Sequence, residues 1–282
     1  MSENTNDLSI FWKNVLETKP FYSDDIAGET QILNQDYGIL ERENLLIKEA
    51  DWKKGDNAFN MDLPAEPFVG DLNASIYIIT LNPRTDEKEY DNWKNRTLLK
   101  LYEDCLKQAK TDYPFYYLNP DIADSGGGVY WRKQKFEGLI AALSEFYGDE
   151  ELAVKKIAQN VCDLELCAYR SNKWDVGKLD VNKLKVVDVM KKFITDVVIP
   201  GVVKGDKVLL VGRGRELLES ETFVYNGQIK KFDDLETLFP DRVVFYKGQQ
   251  CRAMSMTPYG YTKNRAGGTK GGQMLLEKLK QL

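Results

Sequence analysis

Apolar positions at Ile10, Phe11, Trp12, Val15 and Leu16 recur at helical spacing near the start of the chain, and a second short helical pattern runs from Ile39 to Ile47. The polar, glycine-containing stretch from Trp52 to Met61 breaks this pattern, so residues 1–60 read as a helical N-terminal extension and residues 61–282 as the main domain. Ile76 to Thr80 is a short β-branched run, a strand signal, and the following Leu81-Asn82-Pro83 displays Asn82 at its tip. Leu98, Leu99, Tyr102 and Leu106 mark one face of a helix, and Phe136, Leu139, Ile140, Leu143 and Phe146 mark another across Trp131 to Tyr147. Val161 to Leu166 alternates as a strand, Val186 to Val203 reads as a helix, and Val208 to Val211 as a buried strand ending in Gly212-Arg213-Gly214. Val243 to Tyr246 and Arg252 to Met256 read as two further strands, and Gly271 to Leu282 as a closing helix. Strands and helices in alternation predict an α/β fold, a three-layer α/β/α arrangement around a central, mostly parallel sheet.

Tyr113-Pro114-Phe115-Tyr116-Tyr117-Leu118-Asn119-Pro120 lies outside this rhythm, because its two prolines forbid a long helix and the triple glycine at 126–128 follows closely. Its aromatic content argues against disorder. A chain of 282 residues with 43% hydrophobic content has enough apolar surface for a sizeable core. No stretch approaches the roughly 20 apolar residues that span a bilayer, and the first thirty residues carry acids where a signal peptide carries a basic, then apolar run; a cytoplasmic location with no membrane partner is the expectation. The four cysteines show no C-x-x-C spacing, which suits reduced, buried thiols.

Histidine is absent, and with it the usual base of a nucleophilic triad and the usual zinc ligand. Chemistry on this chain must therefore run on carboxylates, Asn, Tyr, Lys, Arg or backbone dipoles, or on a metal held by oxygen ligands. Charge is uneven. Residues 1–60 hold twelve acids and six bases, whereas residues 242–282 hold eight bases and one acid. A basic segment of this kind is the footprint of a polyanion site or a solvated tail.

Candidate chemistry follows from these placements. Asn82 is held where the strands of an open α/β sheet present ligand-binding groups, although Asn-Pro is also an ordinary turn. Asp163 and Glu165 are two apart in one strand and share a face. Side by side and buried, they suit acid–base work or Mg²⁺; alternatively one reaches solvent and the other pairs with Arg170. Gly212-Arg213-Gly214 lacks the third glycine of a dinucleotide fingerprint and reads as a strand-to-helix turn. The segment from Ser255 through Thr257, Tyr259 and Arg265 joins aromatic rings to cationic side chains in a Gly-flanked loop, a composition that fits stacking on bases and holding phosphates. Phe115 and its aromatic neighbours supply either a stacking wall or core.

Four short motifs in order, Leu63-Pro64-Ala65-Glu66-Pro67-Phe68-Val69-Gly70-Asp71, Leu81-Asn82-Pro83, Tyr113-Pro114-Phe115 with Asn119-Pro120 and Trp131, and Ala168-Tyr169-Arg170-Ser171, resemble those of a bacterial branch of the uracil-DNA glycosylase superfamily. The resemblance spans about residues 60–282. It implies base flipping and hydrolysis of an N-glycosidic bond in DNA, with no metal or cofactor. It assigns Asn82 the orientation of the attacking water, Asp163 the reading of the base edge, and Ser255 to Tyr259 the loop that contacts the DNA strand. Phe115, Glu165, Thr257 and Arg265 complete the expected substrate site. The chain departs from the family where both glycines flanking Asn-Pro are missing, where an acid stands for the base-reading Asn, and where Met256-Thr257-Pro258 replaces the usual second motif. A non-catalytic nucleic-acid or partner-binding protein on the same scaffold, and an Mg²⁺-dependent phosphoesterase using Asp163 and Glu165, are the rival readings.

Overall fold

Ile76, Tyr77, Ile78, Ile79 and Thr80 are all buried, as a strand covered on both faces requires, and they form the central strand of a five-stranded sheet. The computed structural model describes residues 3–18, 32–48, 51, 57–85, 91–247, 254–261 and 268–282. In chain order the sheet strands are β3 (Phe68–Gly70), β4 (Ile76–Thr80), β5 (Val161–Glu165), β6 (Val208–Val211) and β9 (Val243–Phe245). Their spatial order is β3-β5-β4-β6-β9, with β3 antiparallel to β5 and the other neighbours parallel. The four parallel strands thus lie in the order second, first, third, fourth. The direction of winding reverses between β4 and β6, and the crevice outside the carboxyl ends of such a pair is the usual ligand position of an open sheet.

Two smaller sheets flank this one. β1 (Leu46–Ile47) pairs in parallel with β2 (Phe59–Asn60), and β7 (Thr222–Tyr225) with β8 (Gln228–Lys231) makes a hairpin. The hairpin turns on Asn226 and Gly227, at φ 50° and 73°, the two left-handed residues of a type I′ turn. Its Val224 and Ile229 sit opposite one another and face solvent, 67% and 77% exposed. No element is expected there from the sequence pattern above.

The helices begin and end where local chemistry directs. Asn95 caps α3 (Arg96–Leu106) by accepting from the Thr97 and Leu98 amides, and Asp149 does the same for α5 (Glu150–Asn160) through Glu151 and Leu152. Gly148, at φ 72°, ends α4 (Glu137–Tyr147) in the left-handed conformation that glycine adopts without steric cost. α1 (Glu3–Thr18) packs on α3 and on α6 (Lys185–Phe193), and α2 (Asn34–Arg42) also reaches α6. α8 (Lys270–Lys280) packs on α4, α5 and β6. Leu8 and Trp12 of α1 and Leu40 of α2 belong to the same hydrophobic core as the sheet strands.

Four expectations change in detail. The pattern from Ile39 to Ile47 is not one helix: Asn44 at φ 54° stops α2, and Leu46–Ile47 becomes a strand. Trp131 to Tyr147 divides into a π-helical stretch, Val129–Lys135, and α4. The helix predicted over Val186 to Val203 runs from α6 through a π turn, Ile194–Val198, into α7 (Ile199–Lys204), and the wider turn accommodates Pro200, which has no N–H to donate. Met254 to Met256 is not a strand; the Ser255 carbonyl instead accepts from the Tyr246 and Thr269 hydroxyls, and Arg252 lies outside the described residues. Among the described residues no helix is long and apolar enough to cross a membrane.

Candidate functional site

The exits of β4 and β5 are laced together beyond the ladder. Leu166 and Cys167 donate to the Thr80 and Leu81 carbonyls, and further out the Ser171 amide donates to the Pro83 carbonyl while the Thr85 amide donates to that of Ser171. Asn82 lies inside this lacing, half-buried. Its Nδ2 donates to Ser171 Oγ at 2.8 Å and to the Tyr169 carbonyl at 3.2 Å, with a longer contact of 3.4 Å to the Pro83 carbonyl. All three partners accept, so the amide nitrogen faces the loop and Oδ1 faces away from it. Among the described residues no donor reaches Oδ1.

Residues 169–171 are fixed from three directions. Tyr169 donates its hydroxyl to Asp36 of α2 at 2.6 Å, Arg170 pairs with Glu66 at 2.7 Å, and Ser171 receives Asn82. Glu66 also accepts from the Tyr116 and Tyr117 hydroxyls, and the Arg170 guanidinium lies 4.6 Å from the Trp93 ring centre. This buried network corrects one expectation: Arg170 serves Glu66, not Asp163 or Glu165. Neither acid of that pair reaches solvent, at 1% and 7% exposure.

Asp163 and Glu165 sit opposite Ile78 and Thr80 of β4. Thr80 donates its hydroxyl to Asp163 Oδ1 at 3.0 Å, whereas Glu165 Oε2 is buried with no hydrogen-bond partner among the described residues. Burial pushes both carboxyls well above their ordinary range, and the Asp163 charge adds to the effect on Glu165. A buried pair biased toward protonation offers a donor as well as acceptors, and that bias works against a divalent cation, which needs ionised oxygens. Among the described residues no group of three or more acidic or thiol side chains is arranged to hold a metal ion.

Tyr130 and Lys135 extend the site. Tyr130 is 38% exposed, yet partial burial of its phenol raises its pKa, Asp163 and Glu165 raise it further, and Arg213 and Arg84 act in the opposite sense, so its hydroxyl end lies within electrostatic reach of the acid pair. Lys135 is 5% exposed, lies 4.8 Å from the Tyr130 ring centre and is pushed down to about 8 by burial. One turn of π-helix separates the two, a departure from α geometry that recurs at functional sites.

The remaining expected residues fall elsewhere. Phe115 is fully buried, edge-on to Trp131 and Phe136 with ring centres 5.0 and 5.7 Å away, which is the position of a core side chain with no face free for a base. Ser255 is tied by its carbonyl to Tyr246 and Thr269, Thr257 packs on Gly138 of α4, and Tyr259 is 56% exposed. Arg265 lies outside the described residues. The Ser255 segment meets the sheet at Gly212, where the missing side chain makes room for Met254, and Gly212 in turn bonds to the Ile79 carbonyl at 2.8 Å. Met254, at the start of this segment, therefore meets the carboxyl end of β6, the strand next to β4, and among the described residues no bond joins Asn82 to Ser255–Tyr259. A separate pocket of about 400 Å³, lined by Asp71, Cys105, Gln108 and Tyr113, opens beside the start of β5 and takes in none of the expected residues.

Sequence reasoning missed Glu66, Tyr130, Lys135 and the role of Ser171. Glu66 and Ser171 were within reach, since each stands in a motif already singled out; Tyr130 and Lys135 answer to no periodicity. Comparison with family models, curated proteins and solved structures finds no match to this chain.

Proposed function

We propose that this protein hydrolyses the N-glycosidic bond of a uracil or modified base extruded from DNA, in the manner of a monofunctional glycosylase. The observation that carries the reading is the fixed carboxamide of Asn82 at a strand exit beside the winding reversal, nitrogen inward and oxygen outward. A carbonyl oxygen so held accepts a hydrogen bond from water and aims the water's lone pair. In the reaction the water oxygen bonds to C1′ and gives up one proton, the C1′–N electron pair leaves with the base, and the base takes up one proton, so the net change is addition of water across the bond. Asp163 and Glu165, which burial biases toward their protonated forms, are suited to hydrogen-bond the departing base. The basic C-terminal segment is the proposed DNA contact, offsetting the few kcal/mol that base extrusion costs.

A three-layer arrangement belongs to this reading. It is supported by Tyr77 packing on Phe193 of α6 while Leu210, on the opposite side by register, packs at Gly271 of α8. Buried, reduced thiols at Cys105, Cys162 and Cys167 are in keeping with a cytoplasmic setting.

The test is incubation with duplexes carrying uracil or a modified base, followed by alkaline strand scission. Wild type is expected to release base, and Asn82→Ala to lose at least about a hundredfold. Cleavage undiminished in the variant, or no release from any duplex, rejects the proposal. The engagement of Asn82 by three acceptors equally suits a loop tie, and this favours one second reading: a nucleic-acid-binding protein without chemistry, identified by salt-dependent DNA binding with no base release.

A further inference from the structure

Asn82 presents two chemically opposite ends, and which end faces outward decides whether it accepts from a water or donates to one. Tyr169 and Pro83 contribute carbonyl oxygens, which only accept. Ser171 is the ambiguous partner, because a hydroxyl both donates and accepts. Its own hydrogen is committed: Ser171 Oγ donates to the Lys173 carbonyl at 3.2 Å, leaving its lone pairs to Asn82 Nδ2 at 2.8 Å. The serine backbone is pinned on both sides, the amide to the Pro83 carbonyl at 3.3 Å and the carbonyl to the Thr85 amide at 3.0 Å, and the residue is 3% exposed. The hydroxyl is thus rigidly placed and has only one way to turn.

We propose that Ser171 is the positioning residue that fixes the orientation of the Asn82 carboxamide, holding its nitrogen inward so that its oxygen meets the reacting water. The inference rests on the glycosylase reading for its catalytic consequence, while the orientation itself is a property of the folded chain. Ser171→Ala removes the shortest of the three bonds. The amide then rotates more freely, and the fraction of molecules with the oxygen outward falls. Nothing that binds the DNA strand changes, so the effect belongs in turnover and not in substrate affinity.

Two measurements decide it. In the first, hydrogen exchange of the Asn82 side-chain amide is followed by NMR in ¹⁵N-labelled protein: slow exchange is expected in the wild type and in Ser171→Thr, which keeps the oxygen, and exchange faster by about tenfold in Ser171→Ala. Equal exchange in wild type and Ser171→Ala overturns the proposal. In the second, kcat and KM are measured on a uracil-containing duplex: Ser171→Ala is expected to lose about tenfold in kcat with KM within about twofold, and Ser171→Thr to recover most of it. A loss confined to KM, or a loss that Ser171→Thr shares, overturns the positioning role. Absence of base release by the wild type rejects the glycosylase reading while the exchange result still decides the orientation.

Discussion

Glu165 occupies an interior position at the end of β5, with no hydrogen bond to Oε2 among the described residues, and a carboxyl in that setting holds its proton more tightly than one in water. The consequence for stability has a definite sign. Unfolded, the side chain ionises near its ordinary 4.5; folded, its pKa lies well above that. The native state therefore binds the proton more tightly, and the stability it contributes is complete below about 4.5 and is lost progressively as pH rises toward the folded pKa. Glu165→Gln cannot ionise and escapes this loss. The variant should melt with the wild type at pH 4 and at a higher temperature than the wild type at pH 8, in thermal denaturation at the two pH values. A parallel pH dependence in both proteins would show that the carboxyl is ionised in place. Single residues were legible where chemistry is local: a β-branched run stopped by Asn-Pro places Asn82 at a strand exit, and an i, i+2 spacing puts two acids on one face. The ion pair of Glu66 with Arg170 was not, because its members meet only when the lead-in to β3 folds across the exit of β5.

At the scale of elements, Asp36 links two segments distant in sequence. Its carboxylate accepts from the Lys185 and Val186 amides at 2.6 and 3.2 Å, capping α6, and from the Tyr169 hydroxyl. Helix N-termini leave amides unsatisfied and favour a negative charge, so one side chain from α2 completes α6 and anchors the loop beside Asn82. Asp36→Ala should cost on the order of 2–4 kcal/mol in urea denaturation, with Asp36→Asn losing less; an unchanged midpoint would show that water replaces the carboxylate. Most helices and parallel strands were readable from periodicity because each buries a regular stripe. The strand β1 was lost inside a helical pattern since only the left-handed Asn44 separates them, and the π turns leave no mark in apolar spacing. The hairpin was readable and overlooked: Tyr225-Asn226-Gly227-Gln228 carries the Asn-Gly signal of a type I′ turn between alternating residues.

For the whole molecule, the acidic opening sixty residues and the basic closing forty make a polarised charge distribution. If the basic segment holds DNA, affinity for a short duplex should fall by on the order of ten- to a hundredfold between 50 and 200 mM salt in fluorescence anisotropy; a salt-independent affinity would remove this segment from the interface. The fold class was legible because alternating strand and helix signals allow few architectures, whereas the position of the site along the sheet edge depends on strand order, which no local pattern encodes. The β7–β8 ribbon turns two β-branched side chains, Val224 and Ile229, toward water on a two-stranded sheet with unpaired margins, and the adjoining Lys230 and Lys231 are placed as gatekeepers. Repulsion between these lysines on neighbouring molecules opposes strand-to-strand templating, so their neutralisation is expected to lower colloidal stability.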